Sequence, residues 1–280
     1  MQGIAKTMND IVTKNMTASH SSELCSHCGS EIKAIQVEVL GRTRWVQPVC
    51  QCEQDIKKAE VERLIRAKEE NEVRTLFSIS NIGDKYLNAS FDNFLMRQGS
   101  EKAFKAAKYY AEHFEEFGAE SLLLWGDVGN GKTHLAAAVH NYLTARGKVI
   151  VFISMPELLS KIKATFNRNN NESEQQIMKA LMICDLLIID DLGAEKISDW
   201  VLETMFQIFD GRSRRKKPIL ATSNLNPKDL PEQIGKRIPD RLIEMSQPVK
   251  NEATSFRREI AKGRLSKFNA ILNQGGATAP

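Results

Sequence analysis

The sequence lacks several features that would place it outside the ordinary globular class. No apolar run approaches the length needed to cross a membrane, and residues 1–17 lack the long apolar core of a secretion signal. The charges are nearly balanced, since 39 Lys and Arg residues stand against 35 Asp and Glu residues, for a net charge of +4. We therefore expect a cytoplasmic protein with no membrane partner. The mild positive charge permits a nucleic-acid partner without requiring one.

Cysteine is also scarce, but four of the five cysteines are grouped near the N-terminus. Cys-Ser-His-Cys at 25–28 precedes a predicted hairpin that turns at Gly41, and Cys-Gln-Cys at 50–52 follows it. A pair of thiols at each end of a hairpin suits a tetrahedral structural zinc site, which would supply much of the folding energy of so small a lobe. Unliganded buried thiols are the alternative, and His27 could replace one ligand. The expected zinc ligands are Cys25, Cys28, Cys50 and Cys52.

The remaining segments before residue 121 set the domain boundaries. Residues 1–24 are polar and read as a tail, and 53–76 form a charged helix with a partial apolar stripe. Such a helix is either a solvated linker or a partner-docking helix, and the sequence favours the linker. An amphipathic helix is expected over 101–117, ending at Gly118. We predict an N-terminal lobe with its linker over 1–80, a larger domain over 81–275, and a flexible tail over 276–280.

From residue 121 onward, apolar strands alternate with helices. This alternation predicts an α/β domain with a parallel sheet covered on both faces. Ligands of such sheets bind at the carboxyl ends of the strands. A polar loop is expected over 167–171. The predicted strands are 122–125, 148–154, 185–191, 218–222 and, from the run Leu242 to Met245, a fifth.

A glycine-rich loop joins the first of these strands to a helix. The segment 126–133 reads G-x-x-x-x-G-K-T, which is the P-loop pattern in its required setting of strand, loop and helix. Its backbone N–H groups and the helix N-terminus would hold phosphates, Lys132 would reach the β- and γ-phosphates, and the Thr133 hydroxyl would ligate Mg²⁺. The expected nucleotide-binding residues are Gly126, Asp127, Val128, Gly129, Asn130, Gly131, Lys132, Thr133 and His134.

Carboxylates and an amide follow two other strands. Asp190 and Asp191 come directly after the apolar run 186–189, as in a Walker B element. Asp190 would hold Mg²⁺ next to Thr133, and Asp191 would orient or deprotonate the attacking water. Asn224 ends the next strand and would position the same water or contact the γ-phosphate, although an Asn there is usually only a turn residue.

Other residues allow two interpretations each. Arg237 and Arg241 lie on a segment that is either an arginine finger or a salt-bridged surface helix. The basic run 212–217 would meet a nucleic-acid backbone or be a solvated helix end. Phe166 and Trp200 would stack on unpaired bases or pack in the core. Cys184 is expected in an apolar strand, as a core residue.

The order of these motifs resembles the AAA+ ATPases. The P-loop, Leu-Leu-Ile-Ile-Asp-Asp-Leu-Gly, Ala-Thr-Ser-Asn and Gly-Lys-Arg-Ile-Pro-Asp-Arg follow one another as in the replicative helicase loaders of the DnaC and DnaI type, to which the transposition helper IstB is related. The resemblance covers about 90–275 and includes Phe-Asp-Asn-Phe at 91–94, Lys-Ala-Thr-Phe at 163–166 and Ser-Glu-Gln-Gln at 173–176. The cysteine-bearing lobe is more similar to DnaI than to DnaC.

The resemblance implies a role for each motif and ATP, Mg²⁺ and Zn²⁺ as cofactors. Many AAA+ proteins have Glu where this chain has Asp191, so hydrolysis is expected to be slow. The short chain after the last motif implies a domain without a full helical lid. The implied roles are Walker A for Lys132 and Thr133, Walker B for Asp190 and Asp191, sensor 1 for Asn224, the arginine finger for Arg237, sensor 2 for Arg257, and single-stranded DNA contact for Phe166, Ser198 and Trp200.

The expected function is ATP-dependent loading of a DnaB-type replicative helicase hexamer onto single-stranded DNA. The N-terminal lobe would bind the helicase, and the ATPase domains would self-associate through Arg237. One alternative is an IstB-like transposition helper that remodels duplex DNA. The other is a nucleotide-gated adaptor with negligible hydrolysis.

Overall fold

The computed structural model describes residues 22–39, 41–77, 82–167 and 172–275. The predicted tail over 276–280, most of the tail over 1–24 and most of the loop over 167–171 lie outside these residues. The described residues form two compact units, divided between Lys68 and Glu69. Within the described ranges, no helix combines the length and apolar character that a membrane span needs.

The first unit consists of two small antiparallel pairs and most of a long helix. The predicted hairpin is confirmed, with Ile35 opposite Val46 and Gly41 in the left-handed region at its turn (φ 71°). The predicted tail is wrong at its end, because residues 23–24 pair with another short strand. The elements are β1 (Glu23–Leu24), β2 (Glu31–Ile32), β3 (Ile35–Val39), β4 (Arg42–Val46) and α1 (Gln51–Leu76).

The second unit is built on a five-stranded parallel sheet in the order β6-β7-β8-β5-β9. This confirms the predicted α/β fold. Its helices after a short 3₁₀ turn (Asp84–Tyr86) are α2 (Glu101–Glu112), α3 (Phe114–Phe117), α4 (Lys132–Thr144), α5 (Met155–Ala164), α6 (Glu174–Ile183), α7 (Asp199–Arg214), α8 (Leu230–Ile234), α9 (Arg237–Met245) and α10 (Phe256–Gly275). Its strands are β5 (Ser121–Trp125), β6 (Ile150–Ser154), β7 (Leu186–Leu192), β8 (Ile219–Ser223) and β9 (Ser246–Lys250).

Two predicted elements are wrong. The run Leu242 to Met245 is the end of helix α9, in which Ile238 and Leu242 are buried one turn apart. The fifth strand follows it and carries Pro248, which the sheet tolerates because β9 is an edge strand paired only with β5. The single helix predicted over 101–117 is interrupted at His113, so that α2 and α3 are separate helices.

The core has two layers, one on each face of the sheet. Successive residues of β7 alternate between them, with Leu186 and Ile188 in one layer and Leu187 and Ile189 in the other. Each layer is covered by helices, which explains why the strands read as continuous apolar runs. The arrangement leaves the carboxyl ends of the strands free to carry polar side chains.

Arg212 contradicts the expectation that the whole basic run is solvated. Its side chain is fully buried, and the guanidinium donates hydrogen bonds to the carbonyls of Leu181, Cys184 and Pro218. Cys184 is also buried, but it caps α6 instead of lying in β7, and burial raises the pKa of its thiol. Arg212 thus ties the end of α6 to the start of β8.

Replacing Arg212 with Met should destabilise the fold by about 3 kcal/mol, because three buried carbonyls lose a donor at roughly 1 kcal/mol each. Urea unfolding followed by circular dichroism measures this change. The matched control is Arg214→Met on the same helix, whose side chain is 76% exposed in an ion pair with Asp210, and which should cost at most about 0.5 kcal/mol. Equal midpoints for both variants would contradict the assignment.

Candidate nucleotide-binding site

The glycine-rich loop lies between β5 and α4, as its motif predicts. Gly126, Gly129 and Gly131 all have positive φ angles, of 136°, 78° and 104°. A Cβ atom on Gly126 would lie 2.3 Å from the carbonyl oxygen of Asn251, and one on Gly129 would lie 2.5 Å from Ser255 Oγ. Glycine is therefore required both for the backbone conformation and for the close approach of the segment 251–257.

Lys132 lies at the centre of the loop. Its ammonium donates to the carbonyls of Gly126 and Asp127, both at 2.8 Å, and to Asn224 Oδ1 at 3.0 Å. Burial lowers the pKa of Lys132 to about 8, although Asp191 and Asp190 act in the opposite direction. The loop thus holds a desolvated cation beside a helix N-terminus, an arrangement that attracts phosphate.

The two carboxylates at the end of β7 have different environments. Asp190 is buried, accepts a 2.6 Å hydrogen bond from Thr222 Oγ1 and hydrogen-bonds with Thr133, and burial raises the pKa of its carboxyl group. Asp191 adopts a left-handed conformation (φ 55°), and the pairing of β7 with β8 shifts register at this point. The irregularity brings Asp191 Oδ1 to 3.3 Å from Asn224 Nδ2. Asp190 therefore lies beside Thr133, and Asp191 lies beside Asn224. These are the side chains predicted to act with each carboxylate.

A cavity of about 320 Å³ opens onto this group. Its volume lies within the range of small-molecule sites, about 300–1,000 Å³. The sequence predicted the part lined by 128–134, Asp191, Asn224 and Arg257, but not the parts contributed by residues before the P-loop and by two apolar residues of α10. The additional lining residues are Lys85, Tyr86, Asn93, Phe94, Leu95, Arg97, Phe256 and Ile260.

Phe94 explains why this earlier segment belongs to the site. A Cβ atom on Gly131 would lie 2.9 Å from its ring, and the ring also meets the imidazole of His134 edge to face at 5.4 Å. His134 in turn lies 3.1 Å from the carbonyl oxygen of Ser90. The motif at 91–94 can be recognised in the sequence by its resemblance to related proteins. That resemblance alone does not show that the motif lines the cavity.

Arg257 reaches the cavity from the first turn of α10. The N–H of Phe256 donates to the carbonyl of Gly129 at 2.8 Å, and Arg257 Cγ would lie 3.4 Å from a Cβ on Gly129. The predicted sensor arginine thus lies against the P-loop of its own chain.

Arg237 lies apart from this cavity. Its guanidinium packs over the ring of Phe206 at 5.8 Å and lines a second cavity of about 780 Å³ with Leu202, Ile234 and Ile238. Arg241 on the same helix is paired with Asp210 (3.4 Å) and Glu244 (2.8 Å). Within the described part of the chain, Arg237 has no such carboxylate partner. The two arginines therefore differ: Arg241 is held by ion pairs, as the surface-helix interpretation expects, whereas Arg237 is not.

The aromatic residues predicted to contact DNA come together. Phe166, which is 57% exposed, meets Trp200 edge to face at 5.9 Å, and Lys163 Nζ lies 4.9 Å from the centre of the Trp200 ring. Neither ring is fully buried in the core. Ser198 has a structural role, because its Oγ caps α7 by accepting a hydrogen bond from the N–H of Val201 at 3.3 Å.

The four N-terminal cysteines also meet. Their sulfur atoms all lie within 4.8 Å of one another, with Cys25 and Cys52 3.4 Å apart and Cys28 and Cys50 3.6 Å apart. Four sulfurs bound tetrahedrally to zinc at about 2.3 Å would be separated by about 3.8 Å, so the donor set fits that metal. His27 is not part of the cluster, and its Nδ1 lies 3.2 Å from Ser26 Oγ.

Comparisons with known proteins agree with the fold and with the motifs. Residues 86–245 match the family described as the bacterial DnaA ATPase domain. The chain is 36% identical over 182 residues to the replicative helicase loader DnaC of Buchnera aphidicola subsp. Acyrthosiphon pisum, covering 65% of this chain and 74% of the relative. It is 35% identical over 188 residues to that of Escherichia coli K12, covering 67% and 75%.

Solved structures show the same architecture. A crystal structure of the DnaC helicase loader has a TM-score of 0.55 at 23% identity, covering 61% of this chain and all of that one. A crystal structure of DnaI has a TM-score of 0.51 at 27% identity, covering 59% of this chain and 92% of that one. The chain therefore belongs to the bacterial AAA+ ATPase family that includes the replicative helicase loader DnaC.

Proposed function

We propose that this protein is an ATP-dependent loader that binds the replicative helicase hexamer and delivers it onto single-stranded DNA. One observation carries the proposal. A P-loop lysine, the Asp191 carboxylate, an amide and an arginine line one cavity, and Asp190 hydrogen-bonds with Thr133 of the same lining, in a chain that is 35–36% identical to proteins named replicative helicase loader DnaC.

The residues around the cavity fit MgATP. The hydroxyl of Thr133 and the carboxylate of Asp190 are adjacent oxygen donors of the kind that Mg²⁺ prefers. These two residues would hold a Mg²⁺ ion, which would supply positive charge to offset that of the phosphates. Lys132 would donate to the same phosphates, and Arg257 would contact the γ-phosphate from α10. Phe94, Tyr86 and Ile260 offer apolar surface for the base.

Asp191 and Asn224 would act together on the attacking water. The amide already donates to the carboxylate at 3.3 Å, which fixes the orientation of both groups. Asp191 then accepts a proton from water, and Asn224 holds that water in line. Because the aspartate side chain is short, we expect slow hydrolysis that a partner or DNA accelerates. ATP would favour the state that holds helicase and DNA, and hydrolysis would release it.

Arg237 supports a role for self-association. It lines the second cavity and not its own nucleotide cavity, and it lacks a carboxylate partner among the described residues, so its charge is available to a neighbouring subunit. In this arrangement, each subunit supplies the arginine finger of the next.

The aromatic pair supports single-stranded DNA contact. A half-exposed ring beside a lysine is a stacking platform with a nearby cation for the backbone. The variant Phe166→Ala should weaken binding to a fluorescent oligothymidine by about 10-fold, since stacking contributes roughly 1–3 kcal/mol per base. Fluorescence anisotropy with a non-hydrolysable ATP analogue measures this. Tyr109→Ala, which removes another exposed ring, should change little, and equal losses from both variants would argue against the platform.

The cysteine cluster supports a structural zinc site that folds the N-terminal lobe. Cys28→Ser should strongly reduce the zinc bound by the purified protein, because a three-thiol site binds it more weakly. Elemental analysis of the full chain measures the zinc content. Cys184→Ser, which alters the buried cysteine outside the cluster, should leave the zinc content unchanged. Wild-type protein purified without a chelator and lacking zinc would refute the assignment.

The function itself is tested by capture of the replicative helicase from the same cell. We expect the tagged full chain to retain the helicase with ATP and release it with ADP, and Cys28→Ser to retain less helicase with ATP. No capture in either state, together with tight binding to duplex DNA, would favour the transposition-helper alternative. Nucleotide-dependent capture without measurable single-turnover ATP cleavage would favour a gated adaptor.

A further inference from the structure

Arg97 joins three segments that are far apart in the sequence. Its guanidinium donates to the carbonyl of Asn130 in the P-loop at 3.0 Å, to the carbonyl of Thr254, and to Glu259 Oε1 at 3.2 Å. The side chain is only 15% exposed although it lies at the rim of the cavity. A charged group so well enclosed and so fully paired fixes the relative positions of its partners.

The contacts of Arg97 surround the residue predicted to contact the γ-phosphate. Thr254 and Glu259 flank Arg257 at the start of α10, and Thr254 Oγ1 donates to the same Glu259 oxygen at 2.8 Å. The guanidinium also lies 5.2 Å from the centre of the Phe256 ring. Arg97 therefore holds the turn that carries Arg257 against the P-loop, although it does not contact Arg257 itself.

Backbone hydrogen bonds join this segment to the rest of the domain from the N–H groups of Asn251, Glu252 and Phe256 to the carbonyls of Trp125, Gly99 and Gly129, so they end at the first residue of α10. The side chain of Asn251 also donates to the carbonyl of Asn130 at 3.1 Å, and Asn130 Nδ2 donates to the carbonyl of Asn251 at 2.8 Å. Both Asn251 and Arg97 thus bind the same P-loop carbonyl, but only Arg97 reaches beyond Arg257 into α10. Loss of Arg97 would leave the first turn of α10 without its ion pair.

We propose that Arg97 is a positioning residue that keeps Arg257 in place to distinguish ATP from ADP. This inference rests on the proposed function, because it assumes that Arg257 contacts the γ-phosphate. Without Arg97, the first turn of α10 moves away from the P-loop, and the contact that ADP lacks is weakened. The preference for ATP over ADP should fall, whereas ADP binding should change much less.

The test compares the dissociation constants for a non-hydrolysable ATP analogue and for ADP by calorimetry. Arg97→Met, which keeps the stem and removes the charge, should lower the ATP preference about tenfold, within the range of usual coupling effects. Glu259→Gln should cause a smaller loss in the same direction. Arg258→Met, which alters the neighbouring exposed arginine, should have no effect.

A double variant separates positioning from general damage. In an Arg257→Ala background, Arg97→Met should not reduce the ATP preference further, because Arg97 acts through Arg257. An unchanged preference in Arg97→Met, equal weakening of ATP and ADP, or an additive loss in the double variant would each overturn the inference. Should Arg97→Met fail to fold, Glu259→Gln in both backgrounds decides by the same criteria. Wild-type protein that binds neither nucleotide would instead contradict the proposed function.

Discussion

Replacing Arg237 with Ala is expected to lower ATP hydrolysis by about a thousandfold while leaving ATP binding unchanged, since arginine fingers contribute about 10³–10⁵ to the rate. The reason is geometric. Arg237 packs on Phe206 at a second cavity and lies away from the residues that line its own nucleotide cavity. In the proposed assembly, Arg237 therefore acts on the nucleotide of a neighbouring subunit. Hydrolysis measured with helicase and single-stranded DNA present, alongside nucleotide affinity, tests both parts.

The neighbouring arginine supplies a matched control for this prediction. Arg241→Ala should retain nearly the wild-type rate, because Arg241 is neutralised by Asp210 and Glu244 on its own subunit. Mixing Arg237→Ala with Lys132→Ala should restore part of the activity, since one subunit then supplies the nucleotide site and the other the arginine. A full rate of hydrolysis in Arg237→Ala, or no recovery of activity in the mixture, would show that Arg237 is not an arginine finger.

Replacing Lys132 with Ala is expected to weaken ATP binding by about a hundredfold or more. Two charge-assisted hydrogen bonds to phosphate, at about 1.5 kcal/mol or more each, correspond to that factor. The lysine already lies in the loop, held by the carbonyls of Gly126 and Asp127, so binding needs little rearrangement of the chain. Lys102→Ala, which alters an exposed lysine of α2, should not change the affinity.

The pH dependence of binding gives a second measure of Lys132. Because burial lowers the pKa of Lys132 to about 8, the free protein loses the ammonium charge as the pH rises through that value. Phosphate favours the charged form, so ATP affinity should fall as the pH rises above about 8. Calorimetry from pH 7 to 9 should show this decline in the wild type and not in Lys132→Ala. Normal binding by Lys132→Ala at pH 7 would contradict the nucleotide-site assignment.

Local motifs predicted the part of the site that lies within short stretches of sequence. The P-loop, the carboxylates of β7 and Asn224 each follow a strand, and parallel strands bring their carboxyl ends to one edge. Arg97 could not be found in this way, because its partners lie 33 to 162 residues away and no periodic pattern marks it. The burial of Arg212 could not be predicted either, because nothing in a basic run shows that one of its members is buried.

The errors in the fold have a similar cause. A four-residue run with three apolar members, such as Leu242 to Met245, fits either one turn of helix or a short strand, and only the burial of Ile238 and Leu242 on one face decides. The fifth strand, β9, has the sequence Ser-Gln-Pro-Val-Lys, which is mostly polar and contains a proline and so does not suggest a strand. The sheet tolerates this proline because β9 lies at its edge. Long buried runs such as β7 were predicted correctly, because a short continuous apolar run bounded by polar residues is typical of a strand covered on both faces.

The central claim, helicase loading, is tested most directly on circular single-stranded DNA, which has no free ends. Purified helicase hexamer is mixed with the circles and with this protein, and helicase that stays on the DNA after a high-salt wash is counted. We predict retention that requires the protein and ATP, and that Phe166→Ala and Arg237→Ala reduce. Helicase retention that is the same with and without the protein would contradict the account.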